Sequence, residues 1–236
     1  MNNIDRLKIM INSSQKIVFF TGAGISTPSG IPDFRSNTGL FKQNLRAEEI
    51  VEHNFFFQNT KDFYEYYFNH LVYVNAIPNI AHKYIASLEK TKNITVVTQN
   101  IDNLHQKANS SNVLELHGSI YRNYCLNCHQ FYDINEISSK NYHCHKCNGL
   151  IKPDVVLYGE GLNYDIISQS VNAIINADCL IIVGTSLSVY PAAGFIDYYS
   201  GNKLVVINRD HTHADAIANL VINDDLELVF KELSYA

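Results

Sequence analysis

The chain has 236 residues, enough for one sizeable hydrophobic core or for a main domain with a smaller satellite. Its 46% hydrophobic and 17% charged residues are typical of a folded soluble protein and exclude a disordered chain. The formal net charge of −5 gives no electrostatic reason for binding nucleic acid or an anionic membrane.

The chain begins with a segment, residues 1–12, that mixes charged side chains with isolated apolar ones. This pattern predicts a short amphipathic helix, and it lacks the apolar core of a signal peptide. The longest apolar runs, such as residues 179–183, are far too short to span a bilayer. We therefore expect a cytoplasmic protein that binds neither membranes nor nucleic acid.

Short apolar runs that end in small polar residues predict buried strands at residues 16–20, 94–98, 113–116, 179–183 and 203–207. Helical patterns separate several of them, at residues 81–90, 164–177 and 192–199. This alternation predicts an α/β fold with a doubly wound parallel sheet. Ligands of such sheets bind beyond the carboxyl ends of the strands, so the polar clusters there are expected to form one site.

Two segments interrupt the alternation. Residues 37–75 are rich in Phe and Tyr and predict a helical insertion with an aromatic face. Residues 120–150 contain four cysteines, which predict a module stabilised by a bound metal ion. We expect the sheet domain to comprise residues 1–36, 76–119 and 151–236, and the two segments to form a smaller unit.

A glycine turn, Gly22-Ala23-Gly24-Ile25-Ser26, follows the first predicted strand, where backbone amides can approach a pyrophosphate. It is not a full G-x-G-x-x-G motif, and no acidic residue stands about twenty residues later to bind a ribose. This weakens the case for hydride transfer, and a turn of this kind is also common as a simple tight bend. The next motif, Pro32-Asp33-Phe34-Arg35, is interpreted as a flap over a bound ligand.

Polar side chains also follow the second and third predicted strands. Gln99-Asn100-Ile101-Asp102 places two amides and a carboxylate where they can present hydrogen bonds into a pocket, and an amide of this kind can recognise a carboxamide such as that of nicotinamide. His117 closes the third strand and is followed by Gly118, so its ring is expected to face the same cleft. Its pKa class makes it the best candidate for a general base among the ten histidines, although a lone histidine is usually structural.

Four of the five cysteines form two C-x2-C pairs, Cys125 with Cys128 and Cys144 with Cys147. This spacing is typical of a zinc site, and four thiolates leave no open position for water, so the metal is expected to order the loop. The nearby His129, His143 and His145 are alternative ligands. Cys179, inside an apolar strand, is interpreted as a core residue.

Taken in chain order, these motifs together with Gly184-Thr185-Ser186-Leu187 resemble those of the sirtuin family. The resemblance extends from about residue 16 to residue 210 and covers each motif described above. It implies an NAD-dependent protein lysine deacylase with a Rossmann-like NAD-binding domain and a small domain that holds structural zinc. NAD and acyl-lysine would enter the cleft from opposite sides, and the products would be free lysine, nicotinamide and O-acyl-ADP-ribose.

The resemblance also implies roles for individual residues. His117 would act as the base, with Asn100 and Asp102 positioning the nicotinamide ribose and ring. The residues implied to contact NAD are Gly22, Ala23, Gly24, Ser26, Thr27, Asp33, Phe34, Arg35, Gln99, Asn100, Ile101, Asp102, Gly184, Thr185, Ser186, Asn208, Arg209, Asp210 and Leu226. A substrate peptide would add as a strand between two others, one formed by Val156, Leu157, Tyr158, Gly159 and Glu160 and one formed by Val189 and Tyr190.

The chain departs from the family pattern at three places. Tyr158 stands where many members have Phe, which leaves a flat wall for the acyl-lysine channel. Members that prefer succinyl or malonyl groups carry a Tyr and an Arg three residues apart, whereas this chain has Tyr64 and Tyr67, so neutral acyl groups are expected. The segment around Leu226 lacks a glycine that the family often has near the adenine.

Other readings of the sequence stay open at this point. The same cleft could transfer ADP-ribose to a protein or hydrolyse NAD. A zinc-ribbon binding module with a vestigial nucleotide fold is a candidate from a different class, although no basic patch surrounds the cysteines. A dehydrogenase is the remaining alternative.

Overall fold

The computed structural model describes residues 1–36, 39–44 and 46–235. Asn37, Thr38 and Leu45, which belong to the predicted helical insertion, lie outside the described residues, as does Ala236. None of the helices in the described parts of the chain combines the length and the apolar composition that a membrane crossing requires.

The secondary structure alternates between helices and strands over much of the chain. The α-helices are α1 (Asn3–Asn12), α2 (Leu40–Gln43), α3 (Ala47–Ile50), α4 (His53–Gln58), α5 (Thr60–His70), α6 (Ile80–Leu88), α7 (Leu104–Lys107), α8 (Tyr164–Ile175) and α9 (Leu226–Ser234). The strands are β1 (Lys16–Thr21), β2 (Asn93–Thr98), β3 (Val113–Glu115), β4 (Gly118–Cys125), β5 (Phe131–Tyr132), β6 (Ile151–Val155), β7 (Cys179–Val183), β8 (Leu204–Ile207) and β9 (Leu220–Ile222). Short 3-10 helices lie at Ala23–Ser29, Ile134–Glu136, Ala192–Tyr198 and His213–Ala216.

Within the described residues, six strands form one sheet in the order β3-β2-β1-β7-β8-β9, and every neighbouring pair is parallel. The chain builds outward from β1 to β3 and then resumes on the other side of β1 with β7. A reversal of this kind defines a doubly wound sheet, and the predicted fold class is confirmed. The reversal point lies between β1 and β7, where such sheets bind their ligands.

The sheet is stable because both of its faces are covered. Phe19 and Ile181 belong to the hydrophobic cluster on one face, whereas Phe20 and Ile182 belong to the cluster on the other. Successive side chains of a strand point to opposite faces, so a strand covered on both sides has a continuous apolar sequence. This is why the predicted strands appear as unbroken apolar runs.

A second hydrophobic core joins the helical insertion to the cysteine segment. Strands β5, β4 and β6 form a separate antiparallel sheet, in that order. Aromatic side chains of α4 and α5 pack against this sheet, and Tyr64 stacks on Tyr142 with ring centroids 4.5 Å apart. The same cluster contains Cys125 and Cys144, so the aromatic helices and the cysteines stabilise one another.

The secondary structure differs from the sequence-based prediction near residue 192 and after residue 219. The predicted helix at residues 192–199 is a 3-10 helix, Ala192–Tyr198, and it contains Gly194, a poor former of α-helix. Strand β9 and helix α9 were not predicted. The signal for α9 was present, because the Asp225 side chain accepts hydrogen bonds from two amides of its first turn, as N-cap residues do.

Two histidines lie buried side by side near the end of β1. The rings of His82 and His105 are 4.8 Å apart, and the His105 Nε2 atom lies 3.1 Å from the Thr21 hydroxyl. Both His82 nitrogens and the His105 Nδ1 atom have no hydrogen-bond partner among the described residues. Burial lowers the pKa of His82 from 6.5 to about 3, and it lowers the pKa of His105 well below its ordinary value.

The free energy of unfolding is therefore expected to fall as the pH is lowered from about 7.5 to about 5.5. Unfolded His82 takes up a proton near pH 6.5, whereas folded His82 resists protonation down to about pH 3, so protons favour the unfolded state between these values. Its contribution to stability is complete above pH 6.5 and is lost below it. The variant His82→Phe should show a shallower decline than the wild-type protein in urea unfolding at a series of pH values.

The matched control is His213→Phe, because His213 is exposed and should leave the wild-type slope unchanged. Loss of a bound metal at low pH would affect all three proteins equally. Equal slopes for His82→Phe and the wild-type protein would contradict the prediction.

Candidate active site and metal centre

A cleft of about 370 Å³ opens at the carboxyl ends of β1, β2 and β7. Its lining includes each residue that the sequence assigned to the cofactor, the substrate or catalysis. Those residues come from separate parts of the sequence, and the parallel sheet brings their strand ends to one edge. The structure therefore brings together the predicted site, apart from the cysteines, in one cavity.

The glycine turn after β1 packs directly against the turn after β7. The Gly24 amide donates a hydrogen bond of 2.8 Å to the Gly184 carbonyl. A Cβ atom on Gly24 would lie 2.8 Å from the Gly184 Cα atom, and Gly184 itself has a left-handed φ of 61°. Glycine is required at both positions because any side chain would push the two turns apart.

Asn100, Ser26 and Asp102 form a buried hydrogen-bonded chain at the floor of the cleft. The Asn100 Nδ2 atom donates to the Gly22 carbonyl and to the Ser26 Oγ atom, both at 3.1 Å. The Ser26 hydroxyl in turn donates to the Asp102 Oδ2 atom at 2.6 Å. Burial raises the pKa of Asp102, and the hydrogen bonds from Ser26 and from the Leu104 amide oppose that shift.

His117 lies at the edge of the cleft with a fixed tautomer. Its Nδ1 atom is 2.8 Å from the main-chain carbonyl oxygen of Gln99, which can only accept a hydrogen bond. Nδ1 therefore carries the proton, and Nε2 keeps the lone pair that a base needs. Burial lowers the pKa of His117, although the bond to Gln99 opposes this, so the ring stays neutral at neutral pH. The Gln99 side chain has a separate partner, since its Nε2 donates to the Thr185 hydroxyl at 3.0 Å.

The predicted flap is held in a turn by its own carboxylate. The Asp33 Oδ1 atom accepts hydrogen bonds from the backbone amides of Arg35 and Ser36, at 3.1 and 2.8 Å. The ring of Phe34 lies 5.3 Å from that of Phe41 on α2. The Arg35 guanidinium donates to the Tyr158 hydroxyl at 2.7 Å and so connects the flap to the opposite wall.

The two segments predicted as substrate strands are not strands in this structure. Strand β6 ends at Val155, before the first of them. The Tyr158 amide donates to the Val51 carbonyl, and the Tyr158 carbonyl accepts from the His53 amide, at 3.0 and 2.9 Å. The amide of Leu157 donates to the Glu160 carboxylate at 2.9 Å. These contacts from the insertion and from Glu160 use the backbone groups that a regular sheet would need, which the local sequence could not reveal.

The far end of the cleft is built by the turns after β8 and β9. The Asn208 side chain donates to the Asp210 carbonyl at 2.8 Å, and the Asn223 side chain donates to the Asn208 carbonyl at 3.1 Å. Leu226 begins α9 and lines the cleft beside Asp225. Although this segment departs from the family pattern, Leu226 still lines the cleft.

Sequence reasoning missed several residues that line the cleft from the insertion. These are Val51, His70, Leu71 and Tyr73, whereas Tyr67, which also lines the cleft, stands at a position where the family pattern implied contact with the acyl group. The aromatic face of the insertion was recognised as a packing surface, and its spacing gave no sign that part of it reaches the cleft.

The four predicted cysteine ligands converge outside the cleft. Their sulfur atoms all lie within 4.8 Å of one another, with Cys125 and Cys147 3.4 Å apart and Cys128 and Cys144 3.6 Å apart. A tetrahedral zinc ion with Zn–S bonds of about 2.3 Å places its sulfur ligands about 3.8 Å apart, so the cluster fits zinc. Each C-x2-C turn is followed by a residue with positive φ, His129 or Asn148, which folds the chain back around the site.

The local structure supports this centre. The Tyr132 hydroxyl donates to the Cys144 sulfur at 3.1 Å. A Cβ atom on Gly149 would lie 2.9 Å from the Cys125 sulfur, so only glycine fits there. Among the described residues, the cluster that could hold a metal consists of the four cysteines alone, without His129, His143 or His145.

Comparison with known proteins gives consistent matches. The description of the Sir2 family fits residues 22–191 of this chain. An NAD-dependent protein deacetylase of Clostridium perfringens (strain 13 / Type A) is 52% identical over 233 residues, covering 95% of this chain and 96% of the relative.

Solved structures of the same kind superpose over the whole chain. A structure of Sir2 with a p53 peptide and NAD+ has a TM-score of 0.89 at 37% identity and covers 100% of this chain and 98% of its own. A structure of Sir2 with a deacetylated p53 peptide and 3′-O-acetyl ADP ribose has a TM-score of 0.90 at 34% identity, with coverage of 99% and 98%.

The cysteine cluster predicts about one zinc ion per chain, measured by elemental analysis of the purified protein. Cys125→Ser should lose most of this zinc and lower the thermal unfolding temperature, because three thiolates bind the ion more weakly and the cluster belongs to the second core. Removing zinc from the wild-type protein with a strong chelator should give the same loss of stability.

The matched control is Cys179→Ala. Cys179 is buried in β7 and is not part of the cluster, so this variant should keep its zinc. Full zinc content in Cys125→Ser would show that the cluster is not the metal site.

Proposed function

The chain belongs to the Sir2 family, and on that basis we propose that it removes acetyl groups from lysine side chains of proteins in an NAD-dependent reaction. Water is consumed as a further reactant, and the products are the free lysine, nicotinamide and O-acetyl-ADP-ribose. The observation that carries this proposal is the cleft itself, which holds His117, the Asn100 chain and the glycine turn opposite the predicted substrate segments.

The cleft suits NAD because its floor combines bare backbone with buried polar side chains. NAD, when bound, would supply an electrophilic ribose carbon, at which a bond to the acyl oxygen replaces the bond to the leaving nicotinamide. The glycine turn at Gly22 and Gly24 and the facing turn at Gly184 are proposed to approach its diphosphate, since neither turn has side chains that would block it. Thr185, Ser186, Asn208 and the residues after it are proposed to bind the adenosine half.

His117 is proposed as the general base. Its Nδ1 proton is held by the Gln99 carbonyl, which leaves Nε2 to accept a proton from a ribose hydroxyl. The lowered pKa keeps the ring neutral and ready to act at neutral pH. The hydroxyl can then attack the transferred acyl group.

Asn100 and Asp102 are proposed to position the nicotinamide ribose and ring. Both Nδ2 hydrogens of Asn100 are donated inward, to Gly22 and Ser26, so its Oδ1 atom is the group that can accept from a ligand. Phe34 is proposed to exclude water from the reacting carbon. Its packing against Phe41 supports that role, because the contact fixes the ring beside the cleft.

The substrates are proposed to be proteins that carry neutral acyl-lysine. Tyr67 lines the cleft from the insertion, and burial raises its pKa well above the ordinary value, so its hydroxyl stays uncharged. A neutral side chain there gives no charge partner to a succinyl or malonyl group. The substrate peptide is proposed to lie between the segment 156–160 and residues Val189 and Tyr190, and to pair with backbone groups there other than those that bond to the insertion and to Glu160.

We propose the same division of the chain as the sequence suggested, with residues 1–36, 76–119 and 151–236 binding NAD. The hydrophobic core shared by the insertion and the cysteine module supports a separate small unit, and β6, which pairs with β4, extends that unit beyond residue 150. We also propose a cytoplasmic location and no binding of nucleic acid or membranes, which agrees with the formal net charge of −5.

An acetyl-lysine peptide incubated with the protein should lose its acetyl group only when NAD is present, with O-acetyl-ADP-ribose formed in equal amount. Mass spectrometry of peptide and nucleotide products measures both. His117→Ala should lower kcat by about a hundredfold or more, the range expected when a general base is removed, while zinc content and thermal stability stay near the wild-type values.

The control His213→Ala removes an exposed histidine outside the cleft and should keep wild-type activity. Full activity of His117→Ala would remove the base assigned here. Consumption of NAD with an unchanged peptide would point to ADP-ribosyl transfer or NAD hydrolysis instead.

The pH dependence of kcat/KM for the peptide should show an acid limb with its midpoint below pH 6.5. His117 must be neutral to accept a proton, and because burial lowers its pKa, activity should persist until the pH falls through that lowered value. The rate is measured at saturating NAD from about pH 5 to about pH 8, with unfolding followed in parallel to separate loss of structure from protonation. A midpoint above pH 6.5 would contradict the assignment.

A further inference from the structure

The Arg35 side chain contacts two aromatic side chains at the cleft. Its Nη2 atom donates to the Tyr158 hydroxyl at 2.7 Å, and its guanidinium carbon lies 5.3 Å from the centre of the Phe41 ring. The rings of Phe41 and Tyr158 are themselves 6.5 Å apart. All three side chains line the cavity. The guanidinium is therefore held in one place by a hydroxyl and a ring face.

Tyr158 is itself fixed by the backbone of the insertion. Its amide donates to the Val51 carbonyl, and its carbonyl accepts from the His53 amide. These two main-chain bonds fix the backbone of Tyr158, and its ring lies 6.5 Å from that of Phe41. The hydroxyl that accepts from Arg35 therefore belongs to a side chain with an anchored backbone.

The positive charge of Arg35 is not neutralised by these contacts. Tyr158 contributes a hydroxyl and not a carboxylate, and among the described residues the Arg35 guanidinium forms one ion pair, with Glu48 at 3.8 Å, whose side chain is 60% exposed. An ion pair of that length at the surface is weak. The Asp33 carboxylate accepts hydrogen bonds from backbone amides, including that of Arg35. Within the described residues it forms no ion pair with the Arg35 guanidinium. The cleft therefore presents an oriented cation whose charge is largely uncompensated.

We infer that Tyr158 is a positioning residue for the cofactor, acting through Arg35: its hydroxyl holds the guanidinium where it binds the diphosphate of NAD. The inference rests on the proposed function, in which NAD occupies this cleft. Tyr158 would then have two roles, because its hydroxyl orients Arg35 and its ring is part of the predicted wall of the acyl-lysine channel. Arg35 that is already oriented loses less freedom when the diphosphate arrives, and this favours binding.

The test is Tyr158→Phe, which keeps the ring and removes the hydroxyl. Its KM for NAD should rise about three- to tenfold, the range expected for loss of one ordinary hydrogen bond because the hydroxyl acts through Arg35, while kcat changes less than about twofold. In an Arg35→Ala background, the same substitution should have no further effect, since the hydroxyl then has no guanidinium to hold. Tyr84→Phe, which removes a tyrosine hydroxyl packed on Phe230 outside the cleft, is the matched control and should keep the wild-type KM.

Direct titration calorimetry separates this inference from the proposed activity. ADP-ribose should bind Tyr158→Phe about three- to tenfold more weakly than it binds the wild-type protein, whereas adenosine, which lacks the diphosphate, should bind both equally. This difference can be measured even if the wild-type protein shows no NAD-dependent deacetylation, an outcome that would remove the proposed function alone. Unchanged affinity of a stably folded Tyr158→Phe for ADP-ribose, an equal loss for adenosine, or an undiminished effect in the Arg35→Ala background would overturn the inference.

Discussion

The contact between the turns after β1 and β7 is the constraint on which the cleft depends. The Gly24 amide and the Gly184 carbonyl are hydrogen-bonded across the point where the order of strands reverses, and neither glycine can carry a side chain. The crossover helices leave this point uncovered, so the strand ends open into a crevice. Asn100 is attached to the same turn through the Gly22 carbonyl. The buried polar chain of the site is therefore positioned by backbone packing within the sheet.

The other wall of the cleft depends on the second core. Tyr158 is attached by its backbone to the segment before α4, whose helix packs with the aromatic residues and the cysteine module. A metal ion held by the four cysteines, outside the cleft, would stabilise the core to which this wall is attached and so would help to keep the cleft in shape. This is a structural influence and needs no chemistry at the metal.

The sequence was sufficient where each residue is determined by its own neighbours along the chain. Apolar runs predicted the strands because both faces of the sheet are buried, and the spacing of the cysteines predicted the cluster because each turn holds two ligands. It was insufficient where contacts with distant segments of the chain determine the local conformation. The segment around Tyr158 was predicted as a strand, but the insertion occupies its hydrogen-bonding groups, and the insertion also brings His70 and Leu71 to the cleft. The bond between Arg35 and Tyr158 joins residues 123 positions apart, and no local pattern could have indicated it.

The partner of His117 has a consequence for how the site can vary. Its Nδ1 proton is held by a main-chain carbonyl, whereas many catalytic histidines are held by a carboxylate. A peptide carbonyl neither titrates nor disappears when the side chain at that position is replaced. Replacement of the Gln99 side chain, which donates to Thr185, would therefore leave the proton on His117 Nδ1 unchanged. Gln99 thus makes two independent contacts, one through its backbone carbonyl and one through its side chain. Only the backbone contact persists when the residue is mutated.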